Sequence, residues 1–274
     1  VFCKSKPIIE NLKGNIMGRR RRSRAQYCKG ELIEREDFSE DLAAFKFRVD
    51  KQLPFIPGQY ATIGFQVGEK IVQRPYSIVS SPHEPFMEVF VELVPEGATT
   101  PLFWELKLGD SVFIRDRLVG KFVLDTESGM TRHVMAGTVT GAAPYISIAR
   151  TQKIEQEQGK ASPHQILAIV GASLSWELGY YADELNELAA QEEWFTFVQT
   201  VSRPWEDPEW QGESGRAEDV IRKYGDQLGY DHTNSVVYAC GHPQMIENSK
   251  AIWARARFPE ERIKEEKFFV IKEE

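Results

Sequence analysis

The sequence contains little cysteine, and this shortage excludes several kinds of site. Only three of the 274 residues are cysteines, namely Cys3, Cys28 and Cys240. Their spacing fits neither a disulfide framework nor a zinc site, and a two-iron cluster held by cysteine alone needs four thiolates. We therefore predict no metal centre, and we predict a reducing cytoplasm as the compartment.

Long apolar runs are also missing from the sequence. No segment is long enough to cross a bilayer, and the first residues lack the apolar core of a secretory signal, so we expect neither a transmembrane segment nor a signal peptide. The chain is 42% hydrophobic and 27% charged, which is typical of a globular protein with a sizeable core. Its length predicts about two domains.

Positive charge is concentrated at the start of the chain. The net charge is −7, yet residues 1–30 hold nine Lys or Arg and one acidic residue. A nucleic-acid-binding domain is usually basic over a folded face, whereas here the basic residues culminate in the run RRRRSR at 19–24. We predict that residues 1–23 form an arm, either a solvated tail or a docking segment for an acidic partner or a membrane surface.

Residues 24–128 have the pattern of short strands separated by Gly and Pro. Alternation is clearest at 42–49, where Phe45, Phe47 and Val49 fall on one face. Six such segments predict a six-stranded antiparallel β-barrel. These segments are 27–35, 42–49, 61–65, 73–81, 87–94 and 111–115.

Residues 129–264 change to an alternation of apolar strands and helices, which predicts a parallel α/β domain. The predicted strands are 132–137, 165–171, 194–201 and 235–241. The predicted helices are 144–156, 180–191, 217–224 and 243–255.

A short motif in the first half combines a cation, an aromatic ring and a hydroxyl. In a strand, Arg74 and Tyr76 point to one side and Ser77 to the other. An arginine can bind a pyrophosphate, a tyrosine can stack on a flat heterocycle, and a serine can hydrogen-bond a ring nitrogen. The motif suits a dinucleotide with an aromatic head, such as a flavin. An ordinary strand with a solvated arginine and a half-buried tyrosine would have the same residues.

Three further signals follow strands of the second half, where ligands of open α/β sheets gather. The segments GTVTGAAP at 137–144 and CGHPQM at 240–245 each join a strand to a helix. Free amides at a helix N-terminus attract a pyrophosphate, although plain turns are an alternative. Arg203 and Arg216 suit a second phosphate, such as the 2′-phosphate of an adenosine ribose, or are surface arginines.

Taken in order, these segments resemble the ferredoxin–NADP(+) reductase family, and its bacterial branch most closely, from about Gln26 onward. The Arg-x-Tyr-Ser motif matches residues 74–77, and the Gly-x-x-Ser/Thr turn resembles 97–100. Residues 137–144 resemble Gly-Thr-Gly-Thr-Gly-x-Ala-Pro, with Val139 in place of the middle glycine. Residues 240–245 match Cys-Gly-x-Pro-x-Met.

The resemblance implies FAD in domain 24–128, NADP(H) in domain 129–264 and a C-terminal tail, 265–274, docking at the FAD. It implies that Arg74 and Thr100 hold the FAD pyrophosphate, while Tyr76, Ser77 and Cys240 orient the reacting rings as the catalytic set. The implied nucleotide-binding residues are Gly137, Thr138, Thr140, Gly141, Pro144, Arg203, Arg216, Cys240 and Gly241. The tail would place Phe268 or Phe269 over the flavin.

The resemblance also implies a function, namely reversible electron transfer between NADP(H) and ferredoxin or flavodoxin. An alternative is a reductase component that serves an oxygenase or another redox partner. An alternative of another class is a non-catalytic interaction protein on the same fold, for which the basic arm would be the principal feature.

Overall fold

The computed structural model describes residues 26–267, which fold around two six-stranded sheets. The first sheet occupies the first half, and a short helix precedes its last strand. Its elements are β1 (Tyr27–Asp37), β2 (Leu42–Val49), β3 (Tyr60–Val67), β4 (Lys70–Ser77), β5 (Met87–Glu92), α1 (Thr100–Glu105) and β6 (Ser111–Arg115). All six predicted strands are present.

The first sheet has the strand order β4-β3-β6-β1-β2-β5, and every pairing is antiparallel. The predicted strand count and direction are confirmed, but within residues 26–267 the hydrogen-bonded ladder does not close into a barrel. β4 and β5 are its edges, and one bridge between Ile78 and Val89 connects them just beyond β4. The predicted apolar face forms the core, where Phe45 packs edge-on against Phe103 of α1.

The second sheet is parallel and carries helices between its strands. Its elements are β7 (Arg132–Thr138), α2 (Ala143–Glu157), β8 (Gln165–Ala172), α3 (Tyr180–Gln191), β9 (Phe195–Val201), β10 (Glu213–Ser214), α4 (Ala217–Gln227), β11 (Ser235–Gly241), α5 (Pro243–Arg255) and β12 (Ile263–Lys267). The predicted parallel α/β domain is confirmed, and β10 and β12 are additions to it. Among residues 26–267, no helix is both long and apolar enough to cross a membrane.

The topology of the second sheet identifies the place where a ligand should bind. The strand order is β10-β9-β8-β7-β11-β12, so the chain moves outward from β7 in one direction and later returns to its other side. Such a reversal opens a crevice at the carboxyl ends of the two strands that flank it. Here these strands are β7 and β11, whose ends carry the turns at 137–144 and 240–245.

Candidate active site

Arg74, Tyr76 and Ser77 lie on β4, at one edge of the first sheet. A sheet edge is where Pro75, which has no N–H, is tolerated. The Arg74 side chain is exposed and donates to the carbonyl of the adjacent Gln73 at 2.9 Å. Ser77, at the end of the strand, is buried. The strand therefore presents an accessible cation and a sequestered hydroxyl three residues apart.

Tyr76 is held by two contacts behind the strand. Its ring packs edge-on against Phe103, with centroids 4.8 Å apart, and its hydroxyl lies 2.6 Å from Oγ1 of Thr99. Burial raises the pKa of Tyr76 to about 12, so its hydroxyl stays neutral. Thr99 is buried and was not among the predicted site residues. Thr99 therefore helps to fix the orientation of the Tyr76 ring.

Thr100 closes the turn that the sequence associates with phosphate binding. Its hydroxyl accepts from the N–H of Val94 and donates to the carbonyl of Val94, both at 3.0 Å. A Cβ at Gly97 would lie 2.7 Å from this hydroxyl, which explains the glycine. The Thr100 side chain thus shapes the turn, and its pyrophosphate role stays a prediction.

The two sheets meet at Ser77, where an acidic residue that was not predicted completes the site. Ser77 Oγ donates to Oε2 of Glu266 at 3.0 Å. Glu266 lies on β12 and pairs in register with Cys240 of β11. Burial raises the pKa of Glu266, and the hydrogen bond from Ser77 partly offsets this. A hydroxyl, a carboxyl group and a thiol therefore converge at the junction.

The Cys240 thiol is a neutral, inaccessible group. Its side chain is fully buried at 0% exposure. Burial raises its pKa well above the ordinary value, and the negative charge of Glu266 raises it further. Nucleophilic cysteines need the thiolate form, so Cys240 is not suited to covalent catalysis, and its role in orienting a ligand stays a prediction.

The turns after β7 and β11 interlock because two glycines lack side chains. A Cβ on Gly141 would lie 2.3 Å from the carbonyl oxygen of Cys240. Gly241 has φ +119°, and a Cβ there would lie 2.3 Å from Oγ1 of Thr138. The same Thr138 oxygen accepts from the N–H of His242 at 2.9 Å. These predicted residues form one compact floor for a ligand.

The rest of the first turn leads directly into α2. A Cβ on Gly137 would lie 2.9 Å from the ring of Tyr145. Thr140 is buried, and Pro144 stands in the first turn of α2, where its missing N–H costs no helical hydrogen bond. The structure thus brings the predicted residues of 137–144 together at the crevice.

Val139 occupies a backbone conformation that suits glycine. Its φ is +40°, in the left-handed region that β-branched residues rarely adopt. Its side chain is half-buried against an apolar cluster to which both halves of the chain contribute. Val139 therefore keeps a backbone conformation that suits glycine, at the cost of strain.

Val139→Gly is expected to tighten NADP+ binding by about three- to tenfold, because it removes a side chain from the nucleotide turn. The left-handed strain of about 1–2 kcal/mol is present with and without nucleotide, so its removal stabilises the fold and not the complex. Val139→Ala is the matched control, since it removes bulk and keeps a Cβ at the same φ. Titration of the FAD-loaded protein with NADP+ gives both affinities. Unchanged affinity in Val139→Gly would show that Val139 does not obstruct the nucleotide.

Arg203 and Arg216 follow neighbouring strand ends, as the 2′-phosphate prediction requires. β10 pairs with β9, and the N–H of Gly215 donates to the carbonyl of Val201 at 2.9 Å. Both arginines are exposed. Arg203 has one loose ion pair, at 3.9 Å from Glu206. Two accessible cations thus stand at the outer end of the crevice.

Two predictions fall on residues outside the described range. Phe268 and Phe269 follow the last described residue, Lys267, so the proposed aromatic cover over the flavin stays a prediction. The arm at 1–23 lies outside the described residues as well.

The side chains at the junction fit FAD and a nicotinamide dinucleotide. An exposed guanidinium, a fixed half-buried ring and a buried hydroxyl within four residues match a pyrophosphate, an aromatic ring system and a ring nitrogen. The glycine-lined floor beside Cys240 lets a second ligand approach the backbone. The arrangement can hold two flat rings near one hydroxyl–carboxyl pair.

Comparison with known proteins defines the class of this chain. Residues 29–122 match the family model of the oxidoreductase FAD-binding domain. Residues 135–251 match the model of the oxidoreductase NAD-binding domain. The protein is thus a two-domain flavin- and nicotinamide-dependent oxidoreductase.

The chain belongs to the flavodoxin/ferredoxin–NADP reductase family. It is 32% identical over 234 residues to the flavodoxin/ferredoxin–NADP reductases of Shigella flexneri and Escherichia coli, covering 82% of this chain and 89% of each relative. It is also 32% identical over 224 residues to the ferredoxin–NAD(P)(+) reductase component of a naphthalene 1,2-dioxygenase system from Pseudomonas putida, covering 81% of this chain and 63% of that one.

A solved structure shares the fold. The ferredoxin NADP+ reductase of Neisseria gonorrhoeae, crystallised with FAD and NADP, aligns with a TM-score of 0.78 at 21% identity. The alignment covers 90% of this chain and all of that one.

Proposed function

We propose that this protein is an FAD-dependent oxidoreductase that transfers electrons reversibly between NADP(H) and a ferredoxin or flavodoxin. The observation that carries the proposal is the convergence of Ser77, Glu266 and Cys240 at the junction of the two sheets. When bound, FAD supplies the exchange between electron pairs and single electrons, which protein side chains cannot perform. The names of the relatives support the choice of carrier.

We propose that each half of the chain binds one of the two dinucleotides. In the FAD domain, 24–128, Arg74 binds phosphate and Tyr76 offers its ring as a stacking surface. In the NADP domain, 129–264, the turn at 137–144 holds the nicotinamide nucleotide. The family matches at 29–122 and 135–251 support these limits.

Ser77 and Glu266 are proposed to handle protons at the flavin. Because burial raises the pKa of Glu266, this carboxyl group keeps its proton to a higher pH than an exposed glutamate. Ser77 Oγ, which contacts Glu266 Oε2, can pass a proton between the carboxyl group and a ligand. The neutral thiol of Cys240 orients the nicotinamide and excludes water.

The carrier is tested by supplying NADPH and measuring the reduction of purified ferredoxin and flavodoxin by absorbance. We expect either carrier to be reduced with a kcat/KM far above that of free FAD. The match to the naphthalene dioxygenase component favours a second function, as the reductase of an oxygenase. Failure to reduce either carrier, with efficient support of an oxygenase, would establish that function instead.

Deleting residues 1–23 is expected to raise the KM for an acidic carrier about fivefold and to weaken its salt dependence, because the arm holds seven basic residues. The rate of flavin bleaching by NADPH serves as the internal control and should not change. If the shortened chain and the full chain have the same carrier kinetics, at low salt and at high salt, then the arm is a solvated tail.

A further inference from the structure

A buried charged cluster joins the two halves of the molecule away from Ser77 and Cys240. At its centre is Glu88 of β5, whose exposure is 0%. A buried carboxylate is costly unless opposite charge and hydrogen bonds satisfy it. Within residues 26–267, the side-chain donors to Glu88 all come from the second half of the chain.

Three donors reach the two carboxylate oxygens of Glu88. Arg150 of α2 donates to Oε2 at 2.5 Å. Tyr181 of α3 donates to Oε1 at 2.8 Å, and the hydroxyl of Tyr180 donates to the same oxygen. Arg150 is held in place by two further bonds of 2.6 Å to Glu184 of α3. Donors from the second half of the chain thus hydrogen-bond both carboxylate oxygens of Glu88.

Arg150 and Tyr181 keep their protons over the ordinary pH range. Burial alone would lower the pKa of Arg150, but its bonds to Glu184 and the charge of Glu88 raise it overall. Burial raises the pKa of Tyr181 well above its ordinary value, and the charge of Glu88 raises it further. Arg150 therefore stays a cation, and Tyr181 stays a donor.

A close aromatic contact shields the cluster from water. Phe38, between β1 and β2, packs edge-on against Tyr180 and Tyr181, with ring centroids 5.3 Å and 5.6 Å apart. Gly179 has φ +51°, and a Cβ there would lie 2.2 Å from the Phe38 ring. Glycine at 179 is therefore required for the two halves to approach this closely.

The segment that directly follows Ser77 is hydrogen-bonded to Glu88 and to α2. The N–H of Val79 donates to the carbonyl of Glu88 at 2.8 Å. The N–H of Glu88 donates to Oγ of Ser80 at 3.1 Å, and the carbonyl of Ser80 accepts from Oγ of Ser147 at 2.7 Å. The segment that follows the flavin motif thus runs directly into the junction.

The other side of the cluster is the helix that begins at the nucleotide turn. Ser147 and Arg150 lie on α2, whose first residue, Ala143, belongs to the turn at 137–144. We infer that Glu88 is a positioning residue, whose bonds across the junction set the spacing between Ser77 and the nucleotide turn. The inference rests on the proposed function, because ring-to-ring transfer depends steeply on this spacing.

The test compares two isosteric variants of the FAD-loaded protein. Glu88→Gln keeps the side-chain size but replaces one accepting oxygen with an NH2 group. This group would face donors of the second half of the chain, namely Arg150, Tyr180 and Tyr181. Glu184→Gln is the matched control, because it removes a carboxylate from Arg150 and leaves all three donors to Glu88 in place. Two quantities are measured anaerobically: the limiting rate of flavin bleaching by NADPH, and the long-wavelength absorbance that stacked nicotinamide and flavin rings give with NADP+.

We expect Glu88→Gln to lower the limiting rate by about 10- to 100-fold and to reduce the stacking absorbance, with little change in half-saturation by NADPH. Glu184→Gln should stay near the wild type. Equal losses in both variants, or full absorbance in Glu88→Gln, would overturn the inference. If Glu88→Gln does not fold, Tyr181→Phe should show the same pattern more weakly, and wild-type values there would overturn it.

Amide hydrogen exchange separates this inference from the proposed function. Peptides from 78–90 should exchange faster in Glu88→Gln than in Glu184→Gln, whatever the flavin does. A wild-type protein whose flavin is not bleached by NADPH would refute the proposed function and leave this comparison intact. Equal exchange in the two variants would refute the positioning role alone.

Discussion

Replacing Arg203 and Arg216 together with alanine is expected to weaken NADPH binding by about 10²-fold or more and to change NADH use by less than about threefold. The reason is that hydrogen bonds to a charged group contribute about 1.5–3 kcal/mol each, and only NADPH carries the 2′-phosphate. Both guanidinium groups are exposed at neighbouring strand ends. Steady-state kcat/KM for the two nucleotides measures the effect.

Arg222→Ala is the control for this prediction. Arg222 lies on α4, is half-exposed and forms an ion pair with Asp226 at 2.7 Å, so its removal changes surface charge without changing the crevice. It should affect both nucleotides little. Equal losses for NADPH and NADH in the double variant would rule out a 2′-phosphate role for Arg203 and Arg216.

Glu266→Gln is expected to lower the turnover of carrier reduction by about 10²-fold, which is a typical contribution of a positioned proton donor. The sign of the pH dependence follows from the raised pKa of Glu266. The group is protonated below this pKa and loses its proton above it, so wild-type activity should fall on the alkaline side of that value. The amide of Glu266→Gln cannot titrate, so the activity of the variant should not show this fall at alkaline pH.

Glu265→Gln provides the comparison on the same strand. Glu265 forms a solvent-accessible ion pair with Lys250 at 2.7 Å, one residue from Glu266 on the sequence. We expect its activity and pH profile to match the wild type. A Glu266→Gln protein with an unchanged pH profile would contradict a proton role for Glu266, whatever its rate.

Local patterns in the sequence were sufficient to predict most of the fold. Short apolar segments separated by Gly and Pro located all six strands of the first sheet, and the strand–helix alternation after residue 129 located the main elements of the second. Periodicity reports which face of an element is buried. It cannot report whether two sheet edges pair, and the first sheet indeed remains open between β4 and β5.

The cofactor motif was predictable, but its supporting contacts were not. Glu266 reaches Ser77 across 189 residues, and three of the five residues of β12 are charged besides Glu266 itself, so nothing marks one carboxylate as buried. Glu88 poses the same difficulty, since its partners lie on α2 and α3. Thr99 alone had a local signal, because it stands within the turn at 97–100.

The most direct test of the account is an anaerobic absorbance spectrum of the FAD-loaded protein before and after one equivalent of NADPH or NADH. We expect flavin bands that bleach with NADPH, and bleach much less readily with NADH. A protein that shows no flavin bands after incubation with FAD, or whose flavin neither nucleotide bleaches, would contradict the proposed oxidoreductase function.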